Sequence, residues 1–125
     1  MPQAKSISDQ RIANANYLDK GLENIKQITI PPRPDDFRLV YHLYIVFAED
    51  RDGLLQYCIE KDIEAKIHYP IPIYRQPALK HLGYKEGDFP VTDAHTTKII
   101  TFPCDQHLDQ SQLDYIIETV TNYYA

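Results

Sequence analysis

A chain of 125 residues, 43% hydrophobic and 25% charged, is long enough to bury one core and too short for two. Its formal net charge of −5 argues against a nucleic-acid partner, which selects a basic stripe, and against an anionic membrane surface. No apolar run approaches the roughly 20 residues a membrane helix needs, and the polar start MPQAKSISDQ has no secretory h-region. With no such signal, the isolated Cys58 and Cys104 read as reduced thiols of a cytoplasmic protein.

The first predicted element is a helix from about Ile7 to Ile25, because Ile12, Ala15, Leu18, Leu22 and Ile25 recur at spacings of three or four. Asn14, Asn16 and Gly21 weaken it in isolation, so it depends on packing against another element. Residues 31–36, PPRPDD, form a proline-rich linker. A long helix followed by such a linker divides the chain into a linking helix at 1–30, entering from a neighbouring domain or subunit, and a domain at 37–125.

Arg38 to Phe47, RLVYHLYIVF, is the strongest strand signal, and its near-continuous apolar character predicts a central strand covered on both faces. His42 within it is expected to be a core histidine bonded to a neighbour. Asp50 is placed to cap a helix that runs to about Asp62, with Leu54, Leu55, Cys58 and Ile59 on its apolar stripe. Ile63 to His68 is a short strand that completes a βαβ unit with parallel strands.

The stretch from Ile67 to Tyr84, IHYPIPIYRQPALKHLGY, organises the rest. Proline has no N–H for a ladder and holds its predecessor extended, so the strand stops at His68-Tyr69-Pro70. A stiff, aromatic segment then presents His68, Tyr69 and Tyr74 at one end of the fold, as either a site or a structural connection. Pro77 opens a short helix over Gln76 to His81 that Gly83 ends. Val91 to Thr97 is helical, and Ile99 to Phe102 is a third strand between the other two, antiparallel to both. Asp109 with Gln112 three residues on is a capping-box spacing, with Leu108 and Leu113 at the staple positions. Leu113, Ile116, Ile117 and Val120 give the last helix one apolar face, and Tyr123 and Tyr124 at the chain's end are expected to pack back on the domain. The fold class is thus α/β (α+β): a three-stranded mixed sheet in a split β-α-β arrangement, helices packed on it, and a long N-terminal helix.

Known chemical signatures are few. There is no G-x-G-x-x-G, G-x-x-x-x-G-K-[ST] or G-x-S-x-G, and no H-E-x-x-H among the five histidines. Cys104 and His107 form one C-x-x-H pair with no second pair to complete a zinc site, and read as a chance spacing. The carboxylates are scattered over predicted solvent faces. His68 remains the side chain best suited to a role, since imidazole donates, accepts or carries charge near neutral pH.

Several stretches resemble the C-terminal part of the sugar-nucleotide aminotransferases of the DegT/DnrJ/StrS type. They are Arg11 to Tyr17, Tyr41 to Tyr44, Arg51 through Leu55, Ala65 to Tyr84, FPVTDAHTTKIITFP and LDQSQLDYII, in matching order and spacing along nearly the whole chain. The resemblance implies the small C-terminal domain of an aspartate-aminotransferase fold, entered by a long helix from a large domain. It implies a pyridoxal-phosphate (PLP) enzyme, working as a homodimer, that transfers an amino group, usually from glutamate, to a keto-sugar carried on a nucleotide, in cell-surface polysaccharide or related sugar biosynthesis. It also implies substrate contacts from His68, Tyr69, Tyr74 and Arg75 at the mouth of the active site. None of the eight lysines sits in a stretch resembling the family's cofactor-lysine motif, so the chain alone is expected to be inactive, with no cofactor of its own. The alternative is a stand-alone binding or dimerisation module of the same fold.

Overall fold

The computed structural model describes residues 2–125 and opens on a 21-residue helix, α1 (Pro2–Leu22). Ala15, Leu18 and Leu22 of α1 have no exposed surface. The apolar stripe read from the sequence is therefore covered inside this chain, by the sheet and by the last helix, α4 (Gln110–Tyr123). Gly21 is the point of closest approach: a Cβ there would lie 2.3 Å from Ile117 Cδ1 and 2.6 Å from its Cγ1. Asn14 is also part of this packing, since it is buried and its Nδ2 donates to Asp105 O at 2.7 Å.

The helix ends three residues earlier than expected, and two successive turns carry the chain into an unforeseen strand, β1 (Ile28–Thr29). It pairs antiparallel with β2 (Tyr44–Ala48), Ile28 opposite Ala48. β2 is half the predicted length, for two reasons. Tyr41 has φ 48°, which interrupts an extended course, and the Arg11 guanidinium takes the Tyr41 and His42 carbonyls at 2.9 and 3.3 Å, drawing them to α1. His42 is consequently exposed rather than a core residue. Within β2, Tyr44, Val46 and Ala48 are buried and Ile45 and Phe47 half-buried, so one face looks into the core and the other is partly covered.

α2 (Arg51–Glu60) buries Leu54 and Cys58 against the sheet, while Ile59, expected on the same stripe, is half exposed. Asp50 precedes the helix as expected but has φ 48° and makes no side-chain cap; its carboxylate accepts from the Tyr123 hydroxyl at 2.5 Å. Tyr124 donates to Glu49 O, so both terminal tyrosines do fold back. The Ile63–His68 strand reduces to one antiparallel bridge, Lys66 with Thr101 of β3 (Ile99–Phe102), before Pro70 removes the next donor. β3 lies between β2 and Lys66 and is antiparallel to both, the expected split arrangement. The three-stranded sheet, in the order β1-β2-β3, is thus antiparallel throughout rather than mixed. α3 (Pro90–Lys98) leads directly into β3. On α4 the capping box forms in full: Gln112 N donates to Asp109 Oδ1 at 2.9 Å and Asp109 N to Gln112 Oε1 at 3.0 Å.

Two consequences are measurable. Gly21→Ala should lower stability by about 1–3 kcal/mol in denaturant melts, because the contact is already closed, and Ile117→Ala in the same chain should make the combined loss smaller than the sum of the singles. The hydrogen bonds from Ser111 and then Gln112 hold the Asp109 carboxyl below its ordinary value. That stabilisation is full above the ordinary carboxylate range and is lost as pH falls through the lowered value. Asp109→Asn should therefore flatten the acid-side fall in melting temperature.

Candidate functional site

Between Tyr69 and Phe89 the chain has neither α-helix nor strand, and instead makes two 3-10 turns, Ile73–Arg75 and Pro77–Leu82, the second ended by Gly83 at φ 75°. Pro72 and Tyr74 are its buried residues. The segment faces α3 across two open grooves. One, of about 440 Å3, runs between Tyr69, Ile71 and Ile73 on one side and Thr92, His95 and Thr96 on the other. The second, of about 430 Å3, has Pro70, Pro72 and Arg75 opposite Asp93, Thr96 and Thr97.

α3 is held against the sheet from two sides. Arg51, buried at the start of α2, donates through Nη1 to Thr96 O and Ile99 O, both at 3.1 Å, and pairs with Asp52 at 2.6 Å. Its guanidinium thus satisfies carbonyls at the C-terminal end of α3, where a cation is favoured. On the outer side of β2, Phe47 stacks on His95 at 4.4 Å between ring centroids.

The four residues expected to contact substrate are distributed over this region and do not converge on one point. His68 is half-buried, its Nδ1 3.1 Å from Thr101 Oγ1, which leaves Nε2 as the ring nitrogen for a ligand. It lines a third groove, of about 330 Å3, with Arg11, His42 and Lys66. Tyr69 follows across a cis peptide bond, is 71% exposed, and meets His68 edge-on at 5.4 Å. Arg75 is exposed in the second groove, 3.3 Å from Glu86 Oε2. Tyr74 is 7% exposed and turned into an aromatic cluster, its ring 4.8 Å from Phe89 and 6.5 Å from Tyr84. Its hydroxyl donates to Asp93 Oδ1. Burial, and then that hydrogen bond, raise the Tyr74 hydroxyl above its ordinary pKa, which keeps it the donor.

Sequence reasoning missed the partners. Thr101, Asp93, His95 and Arg51 build the site's second wall and its supports, yet the contacts that do so, to His68, Tyr74, Phe47 and Thr96, lie 19 or more residues away. Cys104 and His107 have separate partners: the sulfur lies 3.5 Å from Arg11 O, and His107 Nε2 2.9 Å from Gln106 Nε2. No helix of the described residues is long and apolar enough to cross a membrane.

Residues 1–121 match the model of the DegT/DnrJ/EryC1/StrS aminotransferase family. The chain belongs to that family. It is 29% identical over 125 residues to the pleiotropic regulatory protein of Geobacillus stearothermophilus, covering 98% of this chain and 34% of that protein. It is 29% identical over 109 residues to the dTDP-3-amino-3,4,6-trideoxy-alpha-D-glucose transaminase of Streptomyces venezuelae, covering 87% of this chain and 28% of that one. Among solved structures it is similar to S. venezuelae DesV in complex with a ketimine intermediate (TM-score 0.91, 28% identity, 96% of this chain and 32% of that chain). It is also similar to Spr1654 of Streptococcus pneumoniae in its PLP-form (TM-score 0.84, 26% identity, 94% and 31%). The chain spans about a third of the length of the curated relatives it matches.

The site geometry makes one local prediction. Thr101→Val removes the partner of His68 Nδ1, so imidazole 15N shifts should show a changed tautomer balance at His68 with the fold retained.

Proposed function

We propose that this chain is the small C-terminal domain of a PLP-dependent aminotransferase that transfers an amino group from glutamate to a nucleotide-linked keto-sugar, in cell-surface polysaccharide or related sugar biosynthesis. The observation that carries this reading is the family match over residues 1–121, joined to a chain-wide likeness to DesV. In it α1 is the helix arriving from the large domain, 31–36 the linker and 37–125 the body of the small domain, with the second half of α1 sharing its core. The enzyme is a cytoplasmic homodimer.

The residues of this chain do not by themselves fit the cofactor. All eight lysines are exposed. A cofactor lysine belongs in a closed pocket, where desolvation lowers its pKa, with a carboxylate for the pyridine nitrogen nearby. Lys66, in the groove beside His68, is instead paired to Glu64. Covalent cofactor chemistry is therefore assigned to residues outside this chain, and the domain's part is binding. Tyr69 offers an exposed ring edge and hydroxyl to the sugar side, and His68 Nε2 a hydrogen bond to the substrate or to a group near the cofactor. Arg75 offers a charge for a phosphate or carboxylate once it leaves Glu86. Tyr74 borders the sugar side from behind, through the packing of its ring.

A stand-alone binding or dimerisation module of the same fold draws on one observation, that the apolar stripe of α1 is covered within the chain. Two measurements test the aminotransferase reading. In the enzyme carrying this domain, His68→Ala should reduce kcat/KM for the keto-sugar at least about tenfold, the worth of one hydrogen bond to a charged group. The 125-residue chain alone, mixed with PLP, should give no cofactor-lysine absorbance band and no turnover. Turnover by the chain alone would reject the proposal, and an unchanged kcat/KM would reject the role of His68.

A further inference from the structure

We propose that Asp93 is a positioning residue: through Tyr74 and Gly87 its carboxylate fixes the Tyr69–Arg75 segment against α3, and so sets the width of the grooves into which Tyr69 and Arg75 face. The inference rests on the functional reading above for its consequence in catalysis, and on geometry alone for the tether.

The segment from Tyr69 to Phe89 has little else to hold it. Ile71, Ile73, Leu82 and Tyr84 are each about half exposed or more, and no sheet ladder reaches beyond Lys66. A stretch with so few buried contacts is expected to open easily. One carboxylate answers this at two places. Asp93 lies in the first turn of α3, which is itself fixed to the sheet by Arg51 and by the Phe47–His95 stack. Its Oδ1 accepts from the Tyr74 hydroxyl in the first 3-10 turn, and its Oδ2 accepts from Gly87 N at 3.0 Å. Gly87 has φ 93°, a conformation that glycine holds without strain, so its N–H can be aimed back at the helix. Phe89 and Tyr84 close around the Tyr74 ring.

Both grooves take one wall from residues 69–76 and the other from 92–97. Tyr74 and Asp93 are the polar link between those walls. A bond that spans the two sides of a cleft controls where the exposed side chains stand, and misplacement by about 1 Å is enough to weaken a productive contact. Asp93 needs no substrate contact to act in this way.

The experiment combines hydrogen exchange on the 125-residue chain with kinetics on the enzyme carrying it, for Tyr74→Phe, Asp93→Ala and the double variant. Tyr74→Phe keeps the ring and its packing and removes the hydroxyl. Amide exchange across 69–89 should accelerate about tenfold in each single variant, as expected for loss of a hydrogen bond to a charged group, with exchange in α4 and β2 unchanged. The double variant should be scarcely faster than Asp93→Ala, because the two residues act as one unit. In the enzyme, KM for the keto-sugar should rise about fivefold with kcat within about twofold, the pattern of lost positioning for binding. Unchanged exchange in Tyr74→Phe, or additive effects in the double variant, would overturn the tether. Faster exchange with unchanged KM would keep the tether and overturn its role in placing Tyr69 and Arg75. Exchange is read without substrate, so it stands apart from any failure of the aminotransferase reading.

Discussion

The carboxylate of Asp19 is the constraint on which this fold's arrangement depends. It accepts from Arg33 at 3.2 and 3.3 Å and from the Tyr44 hydroxyl at 2.8 Å, and Arg33 also reaches Ile45 O at 3.2 Å. One turn from the end of α1, it thereby ties the helix to the proline-rich linker and to the central strand. The guanidinium lies over both the Tyr41 and Tyr44 rings, at 5.3 and 5.5 Å, so its flat face is used as well as its edge. Removing one partner of a buried pair costs about 3–5 kcal/mol. With side chains 24% and 18% exposed, this one falls below that range, yet without Asp19 both Arg33 and Tyr44 would lose a partner together. Gly21 completes the constraint two residues on, where the absent side chain lets α4 close against α1.

From this fixed corner the molecule grades into a face held differently. Around α1, β2, β3 and α4 the elements are held by buried apolar side chains. Across residues 69–98 burial is sparse, and order comes from polar staples: Arg51 to the end of α3, Thr101 to His68, and Asp93 to Tyr74 and Gly87. Polar staples fix direction while leaving neighbouring surface open, which suits a place where side chains must be presented rather than packed. The expected binding residues lie on this face, and His68 stands at its junction with the sheet, two residues beyond the last ladder contact at Lys66.

Features written in adjacent residues were legible in the sequence; those set by distant partners were not. The capping box at Asp109 and Gln112 is local, and it forms as expected. The α1 stripe up to Leu22 and the α4 face are periodicities, and they too hold. The apolar run overstates β2, by contrast, because Arg11, some 30 residues away, claims the carbonyls of Tyr41 and His42. β1 has no local signal, because the helical spacing continues through Ile25 after the helix has ended. Gly21 and Asn14 looked like weak points of a helix, yet one is its closest contact and the other its bond to Asp105 O. The site divides in the same way. His68 and Tyr69 were marked by the proline that follows them, whereas nothing beside Asp93 distinguishes it from a solvent carboxylate.

The grooves have a geometry that says what else they need. A small-molecule site typically buries about 70–90% of its ligand, and these clefts are lined by side chains such as Tyr69 and Ile73 that are 71% and 76% exposed. A ligand resting here would keep most of one side in water. In the proposed reading such a surface would work as a wall, with affinity arising when a second surface closes over it. The matched relatives are about three times the length of this chain, so they hold more than enough polypeptide to supply that surface. On this view the staples at Arg51, Thr101 and Asp93 matter because a wall must keep its shape before its counterpart arrives. The cost of ordering it is then met in folding rather than subtracted from binding.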